Sequence, residues 1–286
     1  MKITLVRSMS RSAVFELVND SCYRAPAPYT VTLDGAAVCS GDTNIFSLYS
    51  LEPAHTYTLA VTLDGVTDTL TFTTAEESFF VDASRYGLVA DGVTDNTAKL
   101  QAALSTCPAG GTVYLTAGTY RTQSLFLQSN TTLYLEKGCT LLGGTDRRDY
   151  PILPGVLPCH NEKDEQYLAL WEGNPLDSFA ALINVINAEN VTITGEGTLD
   201  CNAQNGDWYQ NPKQKKIAWR PRLFFTSGAK NVVLHGVLAC NSYSWTIHPT
   251  YSENVDILNI RIRNSSQSPN TDGIDPESCE YIRIIG

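Results

Sequence analysis

Asn190-Val191-Thr192-Ile193 returns as Asn231-Val232-Val233-Leu234, as Asn254-Val255-Asp256-Ile257 and as Tyr281-Ile282-Arg283-Ile284, in steps of 41, 23 and 27 residues. A short apolar strand recurring at such steps marks a solenoid, in which each turn of chain buries its inner face only against its neighbours. The same three steps carry Ile183 to Phe224, Ile247 and Ile274, a second column that is apolar throughout, as inward positions of a coil must be. Side chains alternate across a strand, so the residues two places earlier form a third column, namely Ala181, Arg222, Trp245 and Asp272. An arginine, a tryptophan and an aspartate then lie on successive rungs about 5 Å apart. The same register sets His248 beneath Asp275 and Pro249 beneath Pro276.

That column has the chemistry of a sugar groove. Pyranose faces are apolar and stack on aromatic rings, while uronate carboxylates call for guanidinium or ammonium donors. The run Lys213-Gln214-Lys215-Lys216-Ile217-Ala218-Trp219-Arg220-Pro221-Arg222 joins it with five positive charges and no acid. In a chain of net charge −10 this local concentration points to an anionic substrate. The same net charge argues against a nucleic-acid or membrane binder, whose surface needs broad positive potential.

With 286 residues, 43% of them hydrophobic, the chain is long enough for one large or two smaller well-buried domains. Residues 1–76 read as short alternating strands, Ala13–Val18, Tyr29–Leu33, Thr43–Leu48, Tyr57–Leu63 and Thr67–Thr73, with Asp34-Gly35 and Asp64-Gly65 as hairpin turns. This suits a β-sandwich. From residue 77 the texture changes: Phe79–Ala83 reads as a strand, Asp95 or Asn96 caps a short amphipathic helix over 98–104, and strands follow at 112–115 and 131–135. The fold class is all-β, a sandwich followed by a coil from 77 to 286.

No apolar run of signal length opens the sequence, and the eight cysteines lack metal-ligand pairs, so they are expected as reduced core residues of a cytoplasmic protein. A chain whose signal had been removed, secreted or periplasmic, would read the same.

Three resemblances add to this. The segment 51–61, Leu-Glu-Pro-Ala-His-Thr-Tyr-Thr-Leu-Ala-Val, resembles the tyrosine-corner region of fibronectin type III domains, with Tyr57 at the corner. Residues 79–135 resemble the entry to the pectate-lyase-like right-handed parallel β-helices, where a helix covers the open end of the coil. Finally, Thr194-Gly195-Glu196-Gly197-Thr198-Leu199-Asp200, Arg220-Pro221-Arg222, Ser244-Trp245-Thr246-Ile247-His248-Pro249 and Asn270-Thr271-Asp272-Gly273-Ile274-Asp275-Pro276 are similar, in order and spacing, to glycoside hydrolase family 28, the polygalacturonases. Cys201 departs from the glycine usual there. The module in front is similar to the arrangement in bacterial exo-polygalacturonases.

The family resemblance implies inverting hydrolysis of α-1,4 bonds between galacturonic acids, without a metal or other cofactor. Inversion needs a carboxylic acid and a carboxylate base about 6.5–9.5 Å apart. Asp272 takes the place of a water-activating carboxylate. The acid and a second base are expected from an Asp-Asp pair about 21 residues further on, past Gly286, with a histidine and an Arg-x-Lys clamp beyond, so the β-helix reads as incomplete at its carboxyl end. Arg220, Arg222, Trp245, His248, Asn270 and Asp275 are assigned to the substrate groove. For His248, a local hydrogen bond and a substrate contact stand open. Asp275 reads as a cap of the Gly-Ile-Asp-Pro turn before it reads as a catalyst, and Trp208 and Trp219 stand open between subsite and core. Asp200 and Asp207 are not expected to be the missing acid.

The resulting expectation is an exo-acting pectin hydrolase on oligogalacturonides. The alternatives are a rhamnogalacturonan hydrolase, a non-catalytic carbohydrate-binding β-helix and a calcium-dependent pectate lyase. An open last rung would also promote self-association.

Overall fold

The computed structural model describes residues 2–21, 23–159 and 165–286. The amino-terminal strands form two antiparallel sheets. Lys2–Ser8, Ser12–Val18 and Ile45–Tyr49 make one, and Arg24–Leu33, Ala36–Thr43, Thr56–Leu63 and Val66–Thr73 make the other. Phe15, Phe46, Tyr29, Val31, Leu59, Val61 and Phe72 fill the space between them. The two Asp-Gly turns are two-residue hairpins with both residues at positive φ, Asp34 at 49° and Gly35 at 82°, Asp64 at 50° and Gly65 at 78°. That is the turn whose twist matches paired strands, and aspartate followed by glycine tolerates it best. The Tyr57 hydroxyl accepts from the Glu52 amide at 2.9 Å, the bond a tyrosine corner requires.

From Phe79 onward the chain winds as a parallel β-helix. A seven-stranded parallel sheet runs from Phe79–Asp82 to Glu280–Ile285, a six-stranded one from Asp91–Asp95 to Arg261–Arg263, and a four-stranded one through Leu125–Phe126, Ile183–Ile186, Phe224–Ser227 and Ile247–Thr250. The repeat steps are the register: Val191 pairs with Val232, Val232 with Val255 and Val255 with Ile282. In the third sheet Ile183 pairs with Phe224, Phe224 with Ile247 and Ile247 with Ile274.

The repeated asparagine has a backbone cause. Asn130, Asn190, Asn231 and Asn254 sit at φ between 53° and 60°, where asparagine pays less than other side chains with a Cβ. Their amides bond from rung to rung, Asn190 to Asn130 at 2.8 Å and Asn231 to Asn190 at 3.0 Å. Tyr281 holds the same conformation, φ 56°, without that chemistry.

The helix, Thr97–Thr106, buries Leu100, Ala103 and Leu104 in the coil's core. Asp95 caps it by accepting from the Thr97 amide at 2.9 Å, whereas the buried Asn96 side chain bonds both backbone groups of Val89. Among the described residues no helix is long and apolar enough to cross a membrane.

The sandwich docks on the seven-stranded sheet. Met9 and Val14 pack on Val233 and Leu258, and Arg7 meets Asp256, which Arg283 holds from its other side. His235 is fully buried at this seam, with Nδ1 2.8 Å from Thr194 Oγ1, Nε2 2.9 Å from Ser47 Oγ and its ring stacked on Tyr49. Gly236, at φ 78°, follows because a Cβ there would strike the Tyr49 hydroxyl and the Gly195 carbonyl.

The cysteine expectation needs correction. Cys107, Cys139, Cys201 and Cys240 are buried thiols, but Cys39 is exposed on the edge strand Ala36–Thr43, and Cys159 and Cys279 are half-buried. Cys22 lies outside the described residues.

Candidate active site

The third sheet is the floor of the site. Its next rung is the run 272–277: Thr246 N donates to Asp272 O at 2.8 Å, Ile247 N to Gly273 O at 3.1 Å, and Asp275 N to Ile247 O at 2.8 Å. Asp272 therefore stands one rung from Trp245, which stands one rung from Arg222, in the order the spacing gave. Its side chain is exposed.

The two arginines assigned to the substrate groove are buried. Each is only 4% exposed. Arg220 donates to the carbonyls of Tyr243 and Pro269 at 2.9 and 2.8 Å and to Asn270 Oδ1 at 2.6 Å, so it pins the loop leading into Asp272 and takes up the Asn270 side chain in doing so. Arg222 donates to the carbonyls of Arg220 and Leu170, to Ser244 Oγ and, at 3.3 Å, to His248 Nδ1. Burial pushes Arg220 down to about 10 and Arg222 down to about 9, both still charged at neutral pH. A desolvated cation needs compensation, and Arg222 finds it on two indoles: its Cζ lies 4.6 Å from the Trp171 ring centre and 4.8 Å from that of Trp245.

His248 is fully buried and bonded on both ring nitrogens. Because Arg222 Nε donates to Nδ1, the proton sits on Nε2, which faces Glu277 Oε2 at 3.1 Å. Burial lowers the affinity of His248 for a second proton, and the His248 bond holds Glu277 below the usual carboxylate range. Both of these His248 bonds are local ones within the chain.

Asp275 does not cap its turn. Its Oδ2 is buried without a hydrogen-bond partner, and burial, followed by the Asp272 charge, raises Asp275 to about 6. Asp275 thus keeps its proton up to about pH 6, beside the exposed Asp272.

The remaining candidates sort by packing. Trp208 is core, fully buried against Tyr150, Phe179 and Tyr243. Trp219 is half-buried beside Trp171. Asp200 Oδ1 accepts from Asn202 N and Asn241 Nδ2, and Asp207 pairs with Arg147 and Lys216. Lys215 faces Asp177 at 3.9 Å, so much of the basic loop is answered within the chain. Among the described residues no group of three or more His, Cys, Asp or Glu is placed to hold a metal.

Two participants have no counterpart in the sequence reading. Glu277 was within reach, since the 27-residue step that lifts His248 to Asp275 also lifts Thr250 to Glu277, and the two are paired. Trp171 gave no such signal. It lies in an excursion of two-residue antiparallel strands between Cys139–Gly143 and Ile183–Ile186, which share no register with the coil. Leu153, Leu157 and Leu168 of this excursion pack on Ala181, Ile186 and Phe225, the outward face of the third sheet. About 10 Å³ remains among Leu153, Leu170, Arg222 and Phe225, room for one water at most, while a cleft of about 480 Å³ opens between Leu157, Tyr167 and Leu168 of the excursion and Asn187, Ser227 and Tyr251 of the coil.

A parallel β-helix with tryptophans and carboxylates on its outer face is the architecture of the pectate-lyase-like folds. Residues 169–286 match the model of glycosyl hydrolases family 28. Residues 80–139 match the model for rhamnogalacturonase A/epimerase, pectate lyase-like. A probable polygalacturonase of Vitis vinifera is 34% identical over 206 residues, 70% of this chain and 40% of that protein. The exo-poly-alpha-D-galacturonosidase of Dickeya chrysanthemi is 32% identical over 49% of this chain and 23% of its own length. The chain thus spans less than half of these relatives. Among solved structures, the family 28 exopolygalacturonase of Yersinia enterocolitica matches 98% of this chain and 61% of its own at TM-score 0.71 and 20% identity, which establishes the right-handed parallel β-helix. The exopolygalacturonase of Thermotoga maritima matches 71% of this chain and 50% of its own at TM-score 0.57 and 30% identity.

Proposed function

We propose that the protein hydrolyses α-1,4-galacturonosidic bonds of oligogalacturonides from a chain end, with Asp272 activating the attacking water. The observation that carries this reading is the exposed Asp272 carboxylate, one rung from Trp245 on the outer face of the parallel β-helix. Action from a chain end rests on the exo-acting enzymes that the chain resembles. Asp272 is exposed and, among the described residues, in no ion pair, and Arg220 fixes the loop that leads into it. In the family pattern that Asp272 fits, an Asp-Asp pair supplies the leaving-group acid. Residues 1–76 dock away from the groove and take no part in the chemistry.

Product analysis tests the reading. The protein is incubated with polygalacturonate and the products are resolved by anion-exchange chromatography. Galacturonate monomer or dimer as the first product, lost in Asp272→Asn, is the expected result. A ladder of longer oligomers overturns the exo mode, and unsaturated products absorbing in the ultraviolet overturn hydrolysis. Rhamnogalacturonan, run in parallel, separates the second reading suggested by the match over 80–139.

A further inference from the structure

The strands Ile183–Ile186, Phe224–Ser227 and Ile247–Thr250 each run into a residue at left-handed φ: Asn187 at 50°, Gly228 at 61° and Tyr251 at 45°. The steps between the three are again 41 and 23 residues, so they stack as a column. It lies at the opposite end of the third sheet from Trp245 and Asp272, which precede their strands. Asparagine and glycine tolerate this conformation, whereas a tyrosine in it is an outlier of the kind that clusters at functional positions. The Tyr251 side chain is 44% exposed, and among the described residues no aromatic ring or cation covers its face.

The cleft of about 480 Å³ opens over this column, and the hairpin of Val156–Leu157 and Gln166–Tyr167 forms its other wall. That volume falls within the range of small-molecule sites. Its base is apolar, because Leu157 and Leu168 pack on Ile186 and Phe225. Ser227 shares the outward face of its strand with Phe225 and lines the cleft. It is only 5% exposed, yet its hydroxyl has no hydrogen-bond partner among the described residues. The Asn187 side chain is likewise unengaged there, and Gly228 leaves it room, since a Cβ at 228 would come within 2.5 Å of Asn187 Oδ1. The one charge among the described lining residues is Glu165, whose carboxylate accepts from the Tyr167 hydroxyl.

We propose that this cleft is a second carbohydrate site, one that takes a neutral hexopyranose with its apolar face on the Tyr251 ring and its hydroxyls on Ser227 and Asn187. An exposed aromatic face beside unengaged hydroxyl and amide groups matches the two sides of a pyranose. Charge decides the class of sugar. A uronate carboxylate would meet Glu165 and find no guanidinium or ammonium among the described lining residues, whereas an uncharged sugar loses nothing there. The site stands apart from the Asp272 rung and does not depend on the galacturonan reading.

Methyl α-galactopyranoside and methyl α-galacturonide differ only at C6, a hydroxymethyl group in one and a carboxylate in the other, so the pair isolates the charge. Saturation-transfer NMR on the purified protein at pH 7 is expected to show the galactoside bound, with an excess of the galacturonide failing to displace it. Tyr251→Asn removes the ring and at the same time relieves the left-handed backbone, so the fold is kept, and it is expected to weaken galactoside binding about tenfold. Ser227→Ala removes one hydroxyl and is expected to weaken it about fivefold. A wild-type protein that binds no galactoside, displacement of the galactoside by the galacturonide, or wild-type affinity in either variant overturns the neutral-sugar site. Each of these results leaves galacturonate release, which turns on Asp272, to its own product analysis.

Discussion

Replacing His235 by asparagine tests how the sandwich is seated on the coil. His235 is fully buried, bonded through both ring nitrogens to hydroxyls and stacked on Tyr49, and burial pushes it down to about 3. An unfolded histidine takes its proton near 6.5. Between these values the unfolded chain binds a proton that the folded one refuses, so stability falls as pH drops from 6.5 toward 3. The slope is about 1.4 kcal/mol per pH unit, or roughly 3 kcal/mol by pH 4.5. At pH 7 the asparagine variant loses the hydrogen bonds and the stacking, about 1–3 kcal/mol. Urea unfolding at pH 7 and pH 4.5 is the assay. Because other titrating groups are common to both proteins, the difference between them isolates His235: a deficit at pH 7 should shrink to near zero or reverse at pH 4.5. A deficit of the same size at both pH values refutes the buried neutral imidazole.

Three further outcomes follow from single sites. Asp275 is raised to about 6, so its folded form favours the proton, and the stability it contributes is full below about 4 and lost as pH rises through 6; Asp275→Asn should stabilise the fold at pH 8 by about 1–2 kcal/mol relative to pH 4, after allowance for its partial exposure, and equal urea midpoint shifts at both would contradict this. Tyr281→Asn relieves a left-handed tyrosine that is 71% exposed and extends the asparagine ladder; thermal unfolding should show a gain of about 1 kcal/mol, and a loss would mean that the tyrosine ring packs better than its exposure indicates. Phe224→Ala empties a fully buried position between Ile183 and Ile247 and should cost about 3–5 kcal/mol in denaturant unfolding, far more than a change at a solvated strand face.

Much of the coil was legible because its constraints repeat. Each rung needs an apolar side chain at the same inward place and a residue tolerant of positive φ before the strand, and Asn190, Asn231 and Asn254 with their following valines announce both. The Arg222, Trp245, Asp272 column followed from that register. What register cannot give is where a long side chain goes: Arg222 occupies its predicted rung yet lies under an indole that no periodicity placed. The excursion carrying Trp171 is built of strands too short to alternate, held by local turns and by leucines on the outer sheet face. Ala36–Thr43 escaped notice for a related reason. It is an edge strand exposed along most of its length, so it shows no alternation, although Asp34-Gly35 before it already implied a hairpin partner.

The central claim is that the groove beside Asp272, walled by tryptophans, receives a galacturonide. The chain has four tryptophans, and they report on this separately: Trp171, Trp219 and Trp245 border the groove, while Trp208 is sealed in the core. Titrating trigalacturonate against the indole N–H resonances of nitrogen-15-labelled protein should move the first three and leave Trp208 in place. A titration that moves none of the three, or moves Trp208 alone, would contradict the account.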